Sequence, residues 1–231
     1  MKEQFRRRRL PHWDVPGATY FVTACLEGSI PAQGLLELAR HREELSRRCK
    51  PDNLSDADWK RHCWKLAFAE SEKWLDSEPA ARHLADRSLA AIVTDALNHF
   101  AETRYDLIAY VVMPSHFHWV FAPLRQYESS LPVDKSAREM IMQSIKRYSA
   151  YQCNKHLHRT GSFWQSESYD HCIVEEAELQ RIVDYVELNP VKAGLAKSRE
   201  EWEFSSAHDR MLRGSSVSGP LLGPRPVGQI F

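Results

Sequence analysis

Two histidines separated by one aromatic residue, His116-Phe117-His118, lie within Ala109 to Phe121, a run of β-branched and aromatic residues interrupted at Met113-Pro114-Ser115. Such a run reads as two strands joined at the break. On a strand, side chains i and i+2 point to one face, so His116 and His118 share a face with Val120. Phe117, Trp119 and Phe121 take the other face, which suits burial against helices. Two imidazoles at this spacing suffice to chelate one divalent metal. The spacing serves two packed core histidines equally well, and it permits a metal site without establishing one.

The chain carries its own control in His156-Leu157-His158. This pair follows a helix expected from Asp134 to about Asn154. Continued through the pair, that helix would set the two rings roughly 200° apart around its axis, too far to share an ion. His156 and His158 therefore read as solvated or phosphate-facing.

A second chemically able residue is Tyr185, inside Glu176 to Pro190. Leu179, Ile182, Val183 and Val186 recur at helical spacing and define a buried stripe. Tyr185 sits roughly a third of a turn off that stripe, sharing a face with Arg181 and Asn189 at i−4 and i+4. Glu176 and Glu178 fall in the first turn, where carboxylates suit the helix dipole. Pro190 restricts its predecessor, so the helix is expected to stop at Asn189. A tyrosine so placed serves either as half-buried packing with a wet hydroxyl or as a nucleophile.

Taken together, these segments resemble the compact single-tyrosine transposases of small bacterial insertion sequences, and within them the REP-associated tyrosine transposase branch. Met113-Pro114-Ser115-His116-Phe117-His118 is similar to their histidine–hydrophobe–histidine (HUH) motif, and Asp184 to Leu195, with Tyr-x-x-x-Asn-Pro at its centre, to their nucleophile helix. Three further stretches agree in the family's order: Arg8 to Trp13 running into Ala18 to Thr23, Gly161-Ser162-Phe163-Trp164-Gln165, and Trp202-Glu203-Phe204-Ser205-Ser206. The resemblance spans most of residues 6–206. Ser115 stands where an asparagine is common, and the stretch from Leu26 to about Leu89 is long for compact members, so no role carries over to it.

The resemblance implies an α+β fold, a ferredoxin-like or RRM-like antiparallel sheet with helices packed on one face, forming an HUH-type nuclease domain. It implies that His116 and His118, with Asn189 as a third ligand, hold Mg²⁺ or Mn²⁺. Tyr185 then attacks the scissile phosphate of single-stranded DNA and forms a 5′-phosphotyrosine, leaving a 3′-hydroxyl that later rejoins a strand. The implied substrate is a DNA hairpin of the repeated extragenic palindrome (REP) type. The exchange conserves bond energy, and no Gly-rich phosphate loop is present in the sequence.

Lys+Arg and Asp+Glu both number 31, a balance that by itself argues for no polyanionic partner. The basic residues are nevertheless clustered. Arg6, Arg7, Arg8 and Arg9 form a run, and Lys146 and Arg147 accompany Tyr148 and Tyr151 ahead of Lys155 and Arg159. With Trp164, these are the candidate DNA contacts, through phosphate neutralisation and base stacking. A solvated tail is the competing reading for the arginine run. Five cysteines without a C-x-x-C pair favour a reducing cytoplasm over a disulfide frame or thiolate zinc site. The charged start is unlike a secretory signal, and no run approaches the ~18 apolar residues of a membrane span.

The expected organisation is a basic arm over 1–17, one domain over 18–207 with a helical insert at about 27–88, and a weakly ordered tail over 208–231, as monomer or homodimer. Strands are expected at Thr19–Leu26, Asp106–Val112, His116–Phe121 and Tyr169–Val174. Insert and flanking helices are expected at Gln33–Arg48, Asp56–Asp76 and Ser88–Ala101. Two other classes fit parts of the pattern: a binder of chromosomal palindromes without cleavage, and an RRM-like RNA-binding module. The latter would need aromatics on an open sheet face.

Overall fold

In the computed structural model, residues 4–7, 11–76 and 79–214 are described. The elements run β1 (Gln4–Arg7), β2 (Pro11–Asp14), β3 (Thr19–Cys25), α1 (Ala32–Arg47), α2 (Asp56–Asp76), α3 (Arg87–His99), β4 (Tyr105–Val112), β5 (His116–Pro123), α4 (Arg125–Ser130), α5 (Ala137–His156), β6 (Tyr169–Ile173), α6 (Glu176–Lys192) and α7 (Ser206–Leu212). Strands β3 to β6 form one antiparallel sheet in the order β4-β5-β3-β6, which is the split βαβ arrangement. The protein has an α+β fold. β1 and β2 form a separate antiparallel hairpin with Arg6 opposite His12, where the sequence suggested only a basic arm.

Alternation along the strands sorts two cores onto the two sheet faces. Phe117, Trp119 and Phe121 of β5, with Tyr20, Val22 and Ala24 of β3, pack under α3 and α5 through Leu89, Val93, Leu97, Ile141 and Ile145. Trp119 and Phe121 stack at 3.8 Å, and Tyr105 meets Trp119 edge-on at 5.0 Å. This is the expected burial of the aromatic face. The opposite face is covered too: Phe21, Val111 and Val120 meet Leu179, Val183 and Val186 of α6, with Trp64 and Phe68 of α2 beside them. One-sided covering thus describes α3 and α5, whereas α6 and α2 close the face that holds the histidines.

Local signals account for most boundaries. Ser136 caps α5 by accepting from Glu139 N at 3.2 Å, within a Ser-x-x-Glu capping sequence. α6 departs from expectation. It runs through Pro190 to Lys192, ending at Gly194 with φ +69°. Proline removes only its own N–H, and the final carbonyls stay bonded: Ala193 N donates to Asn189 O at 3.0 Å and Leu195 N to Pro190 O at 2.8 Å. Pro190 is buried, so packing outweighs the local preference.

The C-terminal segment is also more ordered than its composition suggested. Val112 N donates to Phe204 O at 2.9 Å and Trp202 Nε1 to Val112 O at 3.0 Å, docking Trp202 to Ser206 along β4. Buried Glu187 of α6 accepts from Ser206 Oγ at 2.7 Å and pairs with Arg210 and Arg199, so α7 is clamped well past position 208. Residues 215–231 of the expected tail lie outside the described residues. No helix among the described residues is long and apolar enough to cross a membrane.

Candidate active site

β5 delivers His116 and His118 to the face enclosed by α6 and α2, at 2 % and 0 % exposure. Their Nε2 atoms lie 3.1 Å apart. Each Nδ1 has a hydroxyl partner: Ser115 Oγ at 3.0 Å from His116 and Thr23 Oγ1 at 2.8 Å from His118. The tautomers in which Nδ1–H donates to these hydroxyls leave both Nε2 lone pairs facing inward. Ser115 thus supplies the ring with a partner where an asparagine is common in the resembled family. β3 contributes Thr23 because its register sets that residue opposite His118 and Cys25 opposite His116.

α6 brings Tyr185 and Asn189 to the same place. The Tyr185 ring stands 5.4 Å from that of His118 and edge-on to Phe21 at 6.0 Å. Asn189 Nδ2 is 3.3 Å from His118 Nε2, and its Oδ1 is buried without a hydrogen-bond partner. Lys192, two turns along α6 from the tyrosine, holds its Nζ 4.8 Å from the Tyr185 ring centroid. Proline inside the helix therefore matters to the site: a stop at Asn189 would remove this cation.

The remaining member, Glu72, was not anticipated from the sequence. Its Oε2 accepts from the Tyr185 hydroxyl and lies 3.5 Å from His118 Nε2, while its Oε1 is buried without a partner. Glu72, His116 and His118 offer ligand atoms all within 4.8 Å of one another. Trp64, Phe68 and Glu72 recur every fourth residue along α2 and so share a face. Trp64 stacks on Phe68 at 5.0 Å and on His171 at 4.4 Å, and Phe68 meets Phe21 edge-on at 5.3 Å. A carboxylate in line with two aromatics was the available signal.

The electrostatics favour a cation. Burial, with His118 alongside, pushes the His116 imidazole down to about 3, so it is a neutral donor at ordinary pH. Burial works to raise the Glu72 carboxyl, but His118, His116 and the Tyr185 hydroxyl outweigh it and hold the group at about 2. Two imidazole nitrogens, one carboxylate and one amide oxygen suit a hard divalent ion. Ligands about 2.1 Å from an ion and at right angles to each other lie about 3 Å apart, which matches the histidine pair. The partnerless buried oxygens of Glu72 and Asn189 are what such an ion would satisfy. The donor set fits the group.

No family model matches the chain. It is 27 % identical over 110 residues to the REP-associated tyrosine transposase of Escherichia coli (strain K12), which covers 48 % of this chain and 59 % of that protein. It is 24 % identical over 134 residues to a Haemophilus influenzae protein given the same family name, covering 54 % and 76 %. A solved REP-associated tyrosine transposase bound to a REP hairpin superposes over 98 % of this chain and 94 % of that chain, with TM-score 0.50 and 18 % identity. The chain is similar in sequence and in fold to the REP-associated tyrosine transposases. Against the first relative, the match spans little more than half of that protein's length.

The structure brings Tyr185, His116, His118 and Asn189 together. His156 and His158 are exposed and apart from them, with His156 3.9 Å from Asp86 and His158 in a left-handed conformation at φ 52°. Trp164 is 5 % exposed; it packs edge-on against Phe117 at 5.1 Å and donates to Ser149 Oγ at 3.0 Å. Stacking on a base would require it to leave the core, so the position reads as packing. Lys146 donates to Gln165 O at 2.6 Å and Ser168 Oγ at 3.2 Å, and burial pulls its amine down to about 8. It ties α5 to the loop ahead of β6. Arg147, Tyr148 and Tyr151 are exposed on α5. Arg6 and Arg7 belong to β1, whereas Arg8 and Arg9 lie outside the described residues.

Proposed function

We propose that the chain is a metal-dependent single-stranded DNA endonuclease and strand transferase, acting at hairpins such as REP palindromes through a 5′-phosphotyrosine on Tyr185. The observation that carries this reading is the convergence of one tyrosine hydroxyl, two imidazole nitrogens and two partnerless oxygens in a single buried site. A divalent ion would satisfy both oxygens, which supports this reading over simple packing of Tyr185 and the histidine pair.

His116, His118 and Asn189 would hold the ion, with the Nδ1 atoms of the two rings fixed by Ser115 and Thr23. Bound there, Mg²⁺ or Mn²⁺ supplies Lewis acidity toward the scissile phosphate and neutralises its charge. Tyr185 Oη forms the new bond to phosphorus as the bond to the 3′-oxygen breaks, giving a free 3′-hydroxyl and a covalent protein–DNA ester. Tyrosine has a reference pKa near 10, so its proton is given up during attack while the departing 3′-oxygen takes one up, leaving no net change in protons. Lys192 places positive charge against the ring. The relative solved with a REP hairpin supports the choice of substrate. The deciding test is incubation with an end-labelled hairpin and Mg²⁺ or Mn²⁺, followed by denaturing electrophoresis. An SDS-resistant adduct is expected; tight hairpin binding with no adduct under any divalent metal would leave a DNA-binding protein without cleavage.

Asn189→Ala is expected to raise the metal concentration for half-maximal cleavage on the order of tenfold. An unchanged metal titration would confine Asn189 to the end of α6, where its carbonyl already accepts from Ala193. Replacing Arg6, Arg7, Arg8 and Arg9 with Gln should weaken hairpin binding and flatten its salt dependence. Each lost phosphate contact removes about 0.7–0.9 from the log–log slope. A slope identical to wild type would make the run a solvated arm.

A further inference from the structure

Glu72 belongs to the insert, the part of the chain for which the family resemblance offers no role. It is buried at 8 % exposure, on a helix otherwise held to the sheet by aromatic contacts. A carboxylate at such a position is costly unless it is used. Its two oxygens are used unequally: Oε2 receives the Tyr185 hydroxyl and faces His118 Nε2, and Oε1 has no hydrogen-bond partner.

We propose that Glu72 is a ligand of the divalent ion and at the same time the residue that positions the nucleophile. One carboxylate oxygen completes an ion site with His116, His118 and Asn189, and the other holds the Tyr185 hydroxyl beside that ion. The insert helix α2 is then part of the active site, and the ion site is complete in the protein before DNA arrives. This rests on the metal-dependent reading above and adds to it a fourth donor, DNA-independent metal binding and a coupling between ion and tyrosine. The chemistry is balanced without further groups, because Glu72 ligates and orients and undergoes no net change.

The distinguishing measurement is Mn²⁺ binding to the full chain without DNA, read as loss of the free-ion electron paramagnetic resonance signal. Wild type should bind one Mn²⁺. Glu72→Gln, nearly isosteric, should weaken binding on the order of tenfold or more, comparably to His118→Ala, with circular dichroism unchanged. Glu72→Asp, which keeps the charge on a shorter arm, should recover part of the affinity. Tyr185→Phe should stay within about twofold of wild type, since the phenol is no ligand. At saturating Mn²⁺, Glu72→Gln should still slow adduct formation without weakening hairpin binding, because its amide can turn its donor toward the phenol. Wild-type Mn²⁺ affinity in Glu72→Gln alongside loss in His118→Ala would overturn the Glu72 assignment and leave the histidine site standing. Absence of Mn²⁺ binding by wild type until hairpin is added would also overturn it, again without touching the cleavage reading. Unaltered affinity in both variants would remove the metal site itself.

Discussion

Tyr185→Phe is expected to form no covalent adduct with hairpin DNA, a loss on the order of a thousandfold or more in cleavage, while hairpin affinity stays near wild type. Removal of a nucleophile leaves only the residual effects of binding and electrostatics. Stability should fall by about 1–2 kcal/mol, because Glu72 loses the hydroxyl it accepts from inside a buried site. The other tyrosines have other work. Tyr20 shares hydrogen bonds of 2.8 Å with Val15, Tyr105 donates to Leu97 O at 2.7 Å, Tyr110 to Asp209 at 2.6 Å, and Tyr169 pairs with Arg42. Tyr148 and Tyr151 are exposed on α5, on the far side of the sheet from the histidines, and Tyr127 lies under Arg104. Mass spectrometry of the adduct peptide locates the link. An adduct that persists in Tyr185→Phe and maps elsewhere would mean the active site is misplaced.

Replacing His116 and His118 with Ala should abolish Mg²⁺- or Mn²⁺-dependent cleavage and leave hairpin binding measurable. Each single variant should lose most activity as well, since the two nitrogens, 3.1 Å apart, are proposed to hold one ion. Stability will also drop. Both rings are buried, and Thr23 Oγ1 and Ser115 Oγ lose their partners, a cost of about 2–4 kcal/mol per site followed by thermal melts. Cleavage should therefore be assayed well below the variant's Tm. The exposed pair supplies the control: His156→Ala with His158→Ala should cut normally. Normal cutting by the double His116 and His118 variant, folded and at equal concentration, would dismiss the metal assignment.

How much of this was legible in the chain depends on the range of the interaction involved. The His116 and His118 pairing follows from strand alternation, and β5 keeps both on the face opposite Phe117, Trp119 and Phe121. The α6 stripe of Leu179, Val183 and Val186 follows from helical period, which also fixes Tyr185 and Asn189 on a common face. α1, α2 and α3 begin and end within about two residues of the positions that periodicity and breakers indicate. These are features that neighbours in sequence decide between themselves.

Other features were set by partners distant in sequence. Trp164 reads as a base-stacking aromatic until Ser149 and Phe117 are found around it, and Lys146 reads as a phosphate contact until its amine is seen on the Gln165 carbonyl. Pro190 reads as a stop until the packing of α6 shows the helix carried past it to Lys192. Sequence pattern alone thus determined the four strands of the main sheet, the longer helices and the pairwise spacing of the histidines and of Tyr185 with Asn189, but not the β1–β2 hairpin, α4 or α7. Only tertiary structure decided that α2 closes the histidine face and that Glu72 joins the site. The periodicity of a helix tells which residues share a face, but not which face of another element it will meet. That choice belongs to packing between segments far apart in the chain, and here it puts a buried carboxylate against the Tyr185 hydroxyl.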